Sequence, residues 1–327
     1  MPLHTQGFKD EVNTIAVVGA GLIGCSWAAL FAAAGNQVNL YDSRPEAARL
    51  MSDFWTSVKP TLIKLGMATA ETVPKLEVFT TLADAIRDAD FIQECIPERL
   101  DAKQALYAEM EPVLKPQAIV ATSSSGLKLS DLQAQWQDPG RIIIAHPFNP
   151  PHLIPLVELY GNERTAEGVL QRSTALYERC GKVVITLKRE VLAHVANRLQ
   201  AALWREAIHL VIEDVASLKD VDTAVSAGPG LRWAVMGPHL LLNLGGGEGG
   251  LRAYCEQFKD SYHQWWDDLG TPQLTAQNID KLVQALGEEI AGRDYNQLRS
   301  ERDNKLVAIL GAMKDVEAKH LKADDVA

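Results

Sequence analysis

The residues with the clearest chemical potential are His146 and Glu158, in the stretch HPFNPPHLIPLVE. His146 follows an apolar run, Arg141 to Ala145, that reads as a strand, and a proline-rich loop comes after it. Glu158 sits inside the next apolar run, Pro155 to Tyr160, an unfavourable place for a carboxylate without a partner. If the two strands meet, Glu158 accepts a hydrogen bond from one imidazole nitrogen. That fixes the tautomer and leaves the other nitrogen as a base. Spacing alone also allows a core histidine in a structural ion pair.

A second constellation lies between Thr14 and Asp42, TIAVVGAGLIGCSWAALFAAAGNQVNLYD. Gly19, Gly21 and Gly24 stand in G-x-G-x-x-G spacing after a short apolar strand. In that arrangement one glycine permits the tight turn, the next lets a pyrophosphate approach the backbone, and the third lets helix and strand pack closely. Leu22 and Ile23 open the helix whose free N–H groups and positive dipole end would hold the phosphates. Asp42 closes the next strand, where it can bind a ribose 2′-hydroxyl and repel a 2′-phosphate, which favours NAD over NADP; Arg44 stands close enough to weaken that preference.

These residues need a scaffold, and the pattern around them supplies one. Apolar strand runs at Gln37–Tyr41, Leu76–Thr80, Phe91–Ile96, Gln117–Thr122 and Lys182–Leu187 alternate with helical segments at Arg44–Leu65, Leu100–Leu114, Leu129–Trp136 and Thr165–Arg179. Thr81 to Asp84 resembles a capping box before a further short helix. Such alternation predicts an α/β domain with a doubly wound, Rossmann-type sheet over residues 1–189. From Glu190 onward only helical periodicity is present, so residues 190–327 are expected to form an all-helical domain for substrate binding and dimerisation. One long helix is expected from Val191 to Val215, and Ser217 opens the next. The short junction predicts a ligand cleft between the two domains.

Composition narrows the function classes. A chain of 327 residues with 47% apolar and 23% charged residues has ample core and no compositional sign of disorder. Net charge is −10, without a basic run, which argues against nucleic acid and against an anionic membrane surface as partners. The N-terminal residues lack an apolar signal core, and no apolar run reaches membrane-spanning length. Cys25, Cys95, Cys180 and Cys255 are far apart and make no metal-ligand spacing, so no metal is expected. They read as buried small apolar residues of a protein in a reducing cytoplasm.

GAGLIG, TSSSGL, HPFNPPHLIPLVEL and ANRLQ together resemble the L-3-hydroxyacyl-CoA dehydrogenase family, in the same order and over nearly the whole chain. LRWAVMGPHL and the C-terminal extension are similar to the branch of lambda-crystallin (L-gulonate 3-dehydrogenase) and L-carnitine dehydrogenase. The resemblance implies that His146 is the catalytic base and Glu158 its carboxylate partner. It implies that Ser125 and Asn197 hold the substrate oxygen, and that Glu98 and Lys103 contact the cofactor. Without it, the latter two would read as a solvated charge pair on a helix. Where the family has Pro-Gly-Phe before the asparagine, this chain has Leu192-Ala193-His194, and His194 reads as a polar contact at the domain junction rather than a second base.

The expected reaction is NAD-dependent oxidation of the 3-hydroxyl of a small L-3-hydroxy acid, of the gulonate or carnitine kind. The segment Glu46–Lys75 carries Arg49, Lys59, Lys64 and Lys75 against Glu46, Asp53 and Glu71, which is no cluster for coenzyme A phosphates. A short-chain 3-hydroxyacyl-CoA dehydrogenase is the alternative. A non-catalytic NADH-binding protein of the crystallin or sensing kind is the alternative of another class. Arg232 could hold a substrate carboxylate and Trp233 line its site, although a surface arginine would look the same. Trp204, Tyr254, Tyr262, Trp265 and Trp266 read as core or interface residues before they read as a cage for a trimethylammonium group. A homodimer through the helical domain is expected from the resemblance and from that aromatic content.

Overall fold

The computed structural model describes residues 12–324. The expectation about an N-terminal leader concerns residues that lie largely outside this range. The chain forms two compact units. One runs to Asn197 and takes in Asp303–Ala312; the other comprises Arg198–Arg302 and continues from Met313.

The first unit is built on an eight-stranded sheet in the order β3-β2-β1-β4-β5-β6-β7-β8. Its strands are β1 (Thr14–Val18), β2 (Gln37–Tyr41), β3 (Leu76–Phe79), β4 (Phe91–Glu94), β5 (Ile119–Thr122), β6 (Ile142–Pro147), β7 (Leu156–Tyr160) and β8 (Val183–Thr186). Between them run α1 (Leu22–Ala33), α2 (Ala47–Lys64), α3 (Leu82–Ile86), α4 (Leu100–Met110), α5 (Leu129–Leu132) and α6 (Val169–Arg179). The central strands are continuous Val/Ile/Ala runs buried on both faces, as a parallel sheet covered by helices requires. Two apolar clusters fill the two sides, one around Trp27, Phe31 and Tyr177, the other around Tyr107, Met110 and Ile92.

Two features of this topology position chemistry. Strand order reverses between β1 and β4, so the ends of these strands flank a switch point, the usual ligand crevice of an open α/β sheet. β6 and β7 pair antiparallel, unlike the other pairs, because a short turn and not a crossover helix joins them. Their register sets His146 directly opposite Glu158.

The second unit is helical. α7 (Ala196–Ile212) leads into it, followed by α8 (Leu218–Ala227), α9 (Pro229–Val235), α10 (Pro238–Gly245), α11 (Gly250–Asp268), α12 (Ala276–Ile290) and α13 (Tyr295–Asp324). Ser217 caps α8 by accepting the Asp220 N–H, as its position predicts. Among the described residues, the buried apolar side chains of this unit are Ile208, Val211 and Val221. Trp204, Leu231, Trp265, Trp266 and Val283 are exposed.

Several expected elements are shorter than their apolar patterns. α7 starts at Ala196 rather than Val191, because Ala193 and His194 take left-handed conformations, φ 63° and 52°. Helical geometry at Leu129 ends at Leu132 instead of Trp136, with Gln133 turning its amide to the carbonyls of Pro139 and Ile142. At Thr81 only half of the capping box forms: Thr81 accepts from the Asp84 N–H, while Asp84 returns its carboxylate to the Thr81 hydroxyl. The aromatic residues of α11 form a ladder of tilted and T-shaped ring contacts, Tyr254–Tyr262–Trp265/Trp266, and Trp265 and Trp266 are exposed rather than core. Of the cysteines, Cys25 and Cys180 are buried, but Cys95 is only partly covered and Cys255 is exposed.

Candidate active site

The glycine turn is shaped by close approach. A Cβ at Gly24 would stand 1.7 Å from the Gly19 carbonyl oxygen, and Gly19 holds φ +104° against the Cys95 carbonyl. A Cβ on Gly21, by contrast, would meet nothing within 4 Å. That open position is the N-cap of α1, and no side chain caps the helix. The turn therefore offers free space in front of uncapped N–H donors, which suits the pyrophosphate of a dinucleotide. Asp42 closes the turn by accepting the Ala20 N–H at 2.6 Å. Burial works to raise the Asp42 carboxyl, but Arg44 and the N–H groups of Ala20 and Arg44 outweigh it and hold it below its usual range.

Across β6 and β7, His146 Nδ1 lies 2.8 Å from Glu158 Oε2, with both side chains buried. The other oxygen of Glu158 accepts the N–H groups of Val195 and Ala196, each at 2.9 Å. Burial tends to raise the Glu158 carboxyl, yet His146 and these two N–H groups keep it below its usual range. An ionised carboxylate only accepts, so the proton between them belongs to Nδ1 and Nε2 is left as the basic nitrogen. The first turn of α7, which carries Asn197, is thus tied to the carboxylate that orients His146.

Ser125 lies in the turn after β5, and its N–H donates to Glu98 Oε1 at 2.9 Å. The same oxygen accepts from the Ser124 hydroxyl, Gly126 N–H and Leu127 N–H, so Glu98 organises the whole serine turn. Burial raises the Glu98 carboxyl, but these donors and Lys103 together hold it low. Lys103 is no solvated helix charge. It is fully buried, with Nζ 2.7 and 2.8 Å from the two oxygens of Glu94 and 3.8 Å from Glu98. Glu94 also receives the Tyr107 hydroxyl, the Thr122 hydroxyl and the Ile96 N–H.

His194 is buried between these parts. Its Nε2–H donates to the Ser124 carbonyl at 3.1 Å, and its ring lies 5.0 Å from that of His146. Burial lowers its pKa, with the nearby His146 adding to the effect and the Ser124 carbonyl and two glutamates opposing it. The turn between β6 and β7 is pinned to α1: His152 Nδ1 is 2.7 Å from the Ser26 hydroxyl, and the His152 N–H donates to it. Lys182, whose amine burial pulls down to about 7, donates to the Pro151 and Ile154 carbonyls and lies over the Trp27 ring.

Two profiles of known proteins cover this chain: the 3-hydroxyacyl-CoA dehydrogenase NAD-binding domain over residues 14–191, and the C-terminal domain of the same enzymes over residues 194–287. The chain belongs to the 3-hydroxyacyl-CoA dehydrogenase family. It is an NAD-binding oxidoreductase of that family. It is 41% identical over 317 residues to an L-carnitine dehydrogenase of Nocardiopsis dassonvillei, covering 97% of this chain and 96% of that protein. It is 42% identical to an L-carnitine dehydrogenase of Streptomyces coelicolor, covering 93% and 95%. Among solved structures it is similar to 5-formyl-3-hydroxy-2-methylpyridine 4-carboxylic acid 5-dehydrogenase, an NAD+-dependent dismutase, at 28% identity and TM-score 0.79, over 93% of this chain and 99% of that one.

Within this family member, the structure brings His146 and Glu158 together, joins Glu158 to the start of the helix bearing Asn197, and joins Ser125 to Glu98. Gly19, Gly21, Leu22, Ile23, Gly24 and Asp42 gather at the β1–α1 turn and the end of β2. Arg232 and Trp233 lie in α9 of the second unit, both exposed. Glu94 escaped the sequence reading. Its one signal is a carboxylate inside the strand run Phe91–Ile96, the same oddity that marks Glu158.

Proposed function

We propose that this chain oxidises the 3-hydroxyl of a small L-3-hydroxy acid, of the L-carnitine or L-gulonate kind, to the 3-keto acid. The single observation that carries the reading is the buried His146–Glu158 pair, in a chain that binds NAD. NAD, when bound, supplies the hydride acceptor. Held by the glycine turn, Leu22, Ile23 and Asp42, with Glu98 on the β4 side, it would sit at the switch point of the sheet, while Lys103, buried against Glu94, would act from behind Glu98 rather than touch it. His146 Nε2 takes the proton of the substrate hydroxyl, and Glu158 stabilises the imidazolium that results. His194 stays neutral, so no second positive charge opposes it. Ser125 and Asn197 offer donors to the substrate oxygen as its charge changes.

The small-acid substrate is supported by the L-carnitine dehydrogenases at 41 and 42% identity over almost their full lengths. It is also supported by the α2 segment. Arg49 faces Asp53 at 3.5 Å, and Lys59 donates to the Ala70 and Thr72 carbonyls, so no set of basic groups converges there for coenzyme A phosphates. The exposed apolar side chains of the helical unit support a homodimer through that unit; a monomer at micromolar concentration by sedimentation would contradict it. Four free cysteines, one of them exposed, fit a cytoplasmic protein. No helix among the described residues is long and apolar enough to cross a membrane.

The test is a spectrophotometric panel of L-carnitine, L-gulonate, 3-hydroxybutyrate and 3-hydroxybutyryl-CoA with NAD. Saturable turnover of a free acid is expected. Fast turnover of the thioester alone would replace this reading by a short-chain acyl-CoA dehydrogenase. Tight NADH binding without turnover of any compound would leave a non-catalytic nucleotide-binding protein.

A further inference from the structure

Asp42 is the residue expected to receive the cofactor's ribose, yet its two oxygens already accept four donors. The Ala20 N–H reaches Oδ2 at 2.6 Å and the Arg44 N–H reaches Oδ1 at 2.9 Å. The Arg44 guanidinium adds Nε to Oδ1 at 2.8 Å and Nη2 to Oδ2 at 3.0 Å. A carboxylate has about four lone-pair sites, so this one is filled before any ribose arrives. The two backbone donors are fixed by the glycine turn and by the end of β2. The two side-chain donors belong to an arginine that is 45% exposed, whereas the carboxylate it covers is 11% exposed. The guanidinium is therefore the group that a ribose diol must displace.

The same pairing changes the electrostatics at the ribose. A bare carboxylate repels a 2′-phosphate, but with the Arg44 cation two residues away the two groups together present nearly no net charge to it, whether or not they touch. Once displaced, a guanidinium two residues from Asp42 is well suited to bind phosphate through two parallel N–H bonds. We propose that Arg44 sets cofactor choice in this chain: folded back on Asp42 it competes with the ribose of NAD, and turned outward it receives the 2′-phosphate of NADP, making NADP(H) a second cofactor. This depends on the dinucleotide site alone and is independent of the substrate.

NADH and NADPH are titrated, by nucleotide fluorescence and without substrate, into the wild type, Arg44→Ala, Asp42→Ala and the double variant. A melting curve of each protein accompanies the titration, and Arg44→Gln takes the place of Arg44→Ala if the latter fails to fold. In Arg44→Ala, NADPH affinity is expected to fall about tenfold or more, as for loss of a charge-assisted hydrogen bond, while NADH binding holds or tightens. Asp42→Ala is expected to strengthen NADPH binding by a similar factor, and the double variant to lose that gain. The proposal is overturned if the wild type does not bind NADPH, if Arg44→Ala changes the NADPH-to-NADH affinity ratio less than about twofold, or if the double variant keeps the gain of Asp42→Ala.

Discussion

His146 and Glu158 are register partners across an antiparallel strand pair, and their Nδ1 to Oε2 distance is 2.8 Å. Glu158 does a second task with its other oxygen, which accepts the first two N–H groups of the turn into α7. One buried carboxylate thus orients the imidazole and anchors the backbone just before Asn197. A pair set within two rigid strands is held more precisely than a pair on loops.

This double duty separates two variants. In Glu158→Gln the amide oxygen can still accept from Val195 and Ala196, but an NH2 group opposite Nδ1 selects the wrong tautomer. Turnover is expected to fall at least about a hundredfold while the melting temperature changes little. Glu158→Ala should lose turnover and stability together, because two partly buried N–H groups are left without their acceptor. Steady-state kinetics beside thermal melts would test this, and near-normal turnover in Glu158→Gln would remove His146 from its role as base.

His194 makes stability depend on pH. Burial holds its pKa below the usual value of about 6.5, so the unfolded chain binds the proton more readily. The stability conferred by a neutral His194 is complete above about pH 6.5 and is lost as pH falls through the lower folded value. Glu158 and Glu98 act in the same direction, but over the lower range set by their own depressed values. His194→Phe removes the donor to the Ser124 carbonyl and with it this dependence. Melting temperatures taken between pH 7.5 and about pH 5 should therefore fall less steeply in the variant than in the wild type. Parallel curves would show that His194 titrates alike in the folded and unfolded chain.

The parts of this site legible in the sequence are those fixed by local geometry. Gly24 is required by its contact with the Gly19 carbonyl inside one turn, Gly19 by its positive φ, and Asp42 by the end of the next strand. Glu158 could be found because a carboxylate in an apolar strand calls for a partner. The turn at Leu192–Val195 could not, since the apolar periodicity of α7 runs straight through it. Only the distant carboxylate of Glu158 explains why the chain leaves the helical path at Ala193 and His194 and presents two N–H groups. The hold of Glu98 on the serine turn was hidden for the same reason, although the resemblance had named Glu98 for the cofactor: its partners there are backbone groups 27 to 29 residues away, with no side-chain pattern to mark them.

Lys103 and Glu94 form a second buried charge pair, with side-chain exposures of 1% and 0%. Their network links α4, β4 and β5 just below the serine turn, through Tyr107, Thr122 and the 3.8 Å approach of Lys103 to Glu98. Replacing the pair by apolar groups could be nearly neutral, but removing one partner strands a charge in the interior. Lys103→Met should therefore destabilise the protein by about 3–5 kcal/mol, well beyond the effect of a surface ion pair. The double variant Lys103→Met/Glu94→Leu should recover part of that loss, because it removes the stranded charge as well. Recovery should be incomplete: Tyr107, Thr122 and the Ile96 N–H lose their shared acceptor. Urea unfolding of the wild type, both single variants and the double variant closes the cycle. Additive losses would mean that the two charges are stabilised independently of each other, and the pair would then have no part in holding β4 and β5 beneath the site.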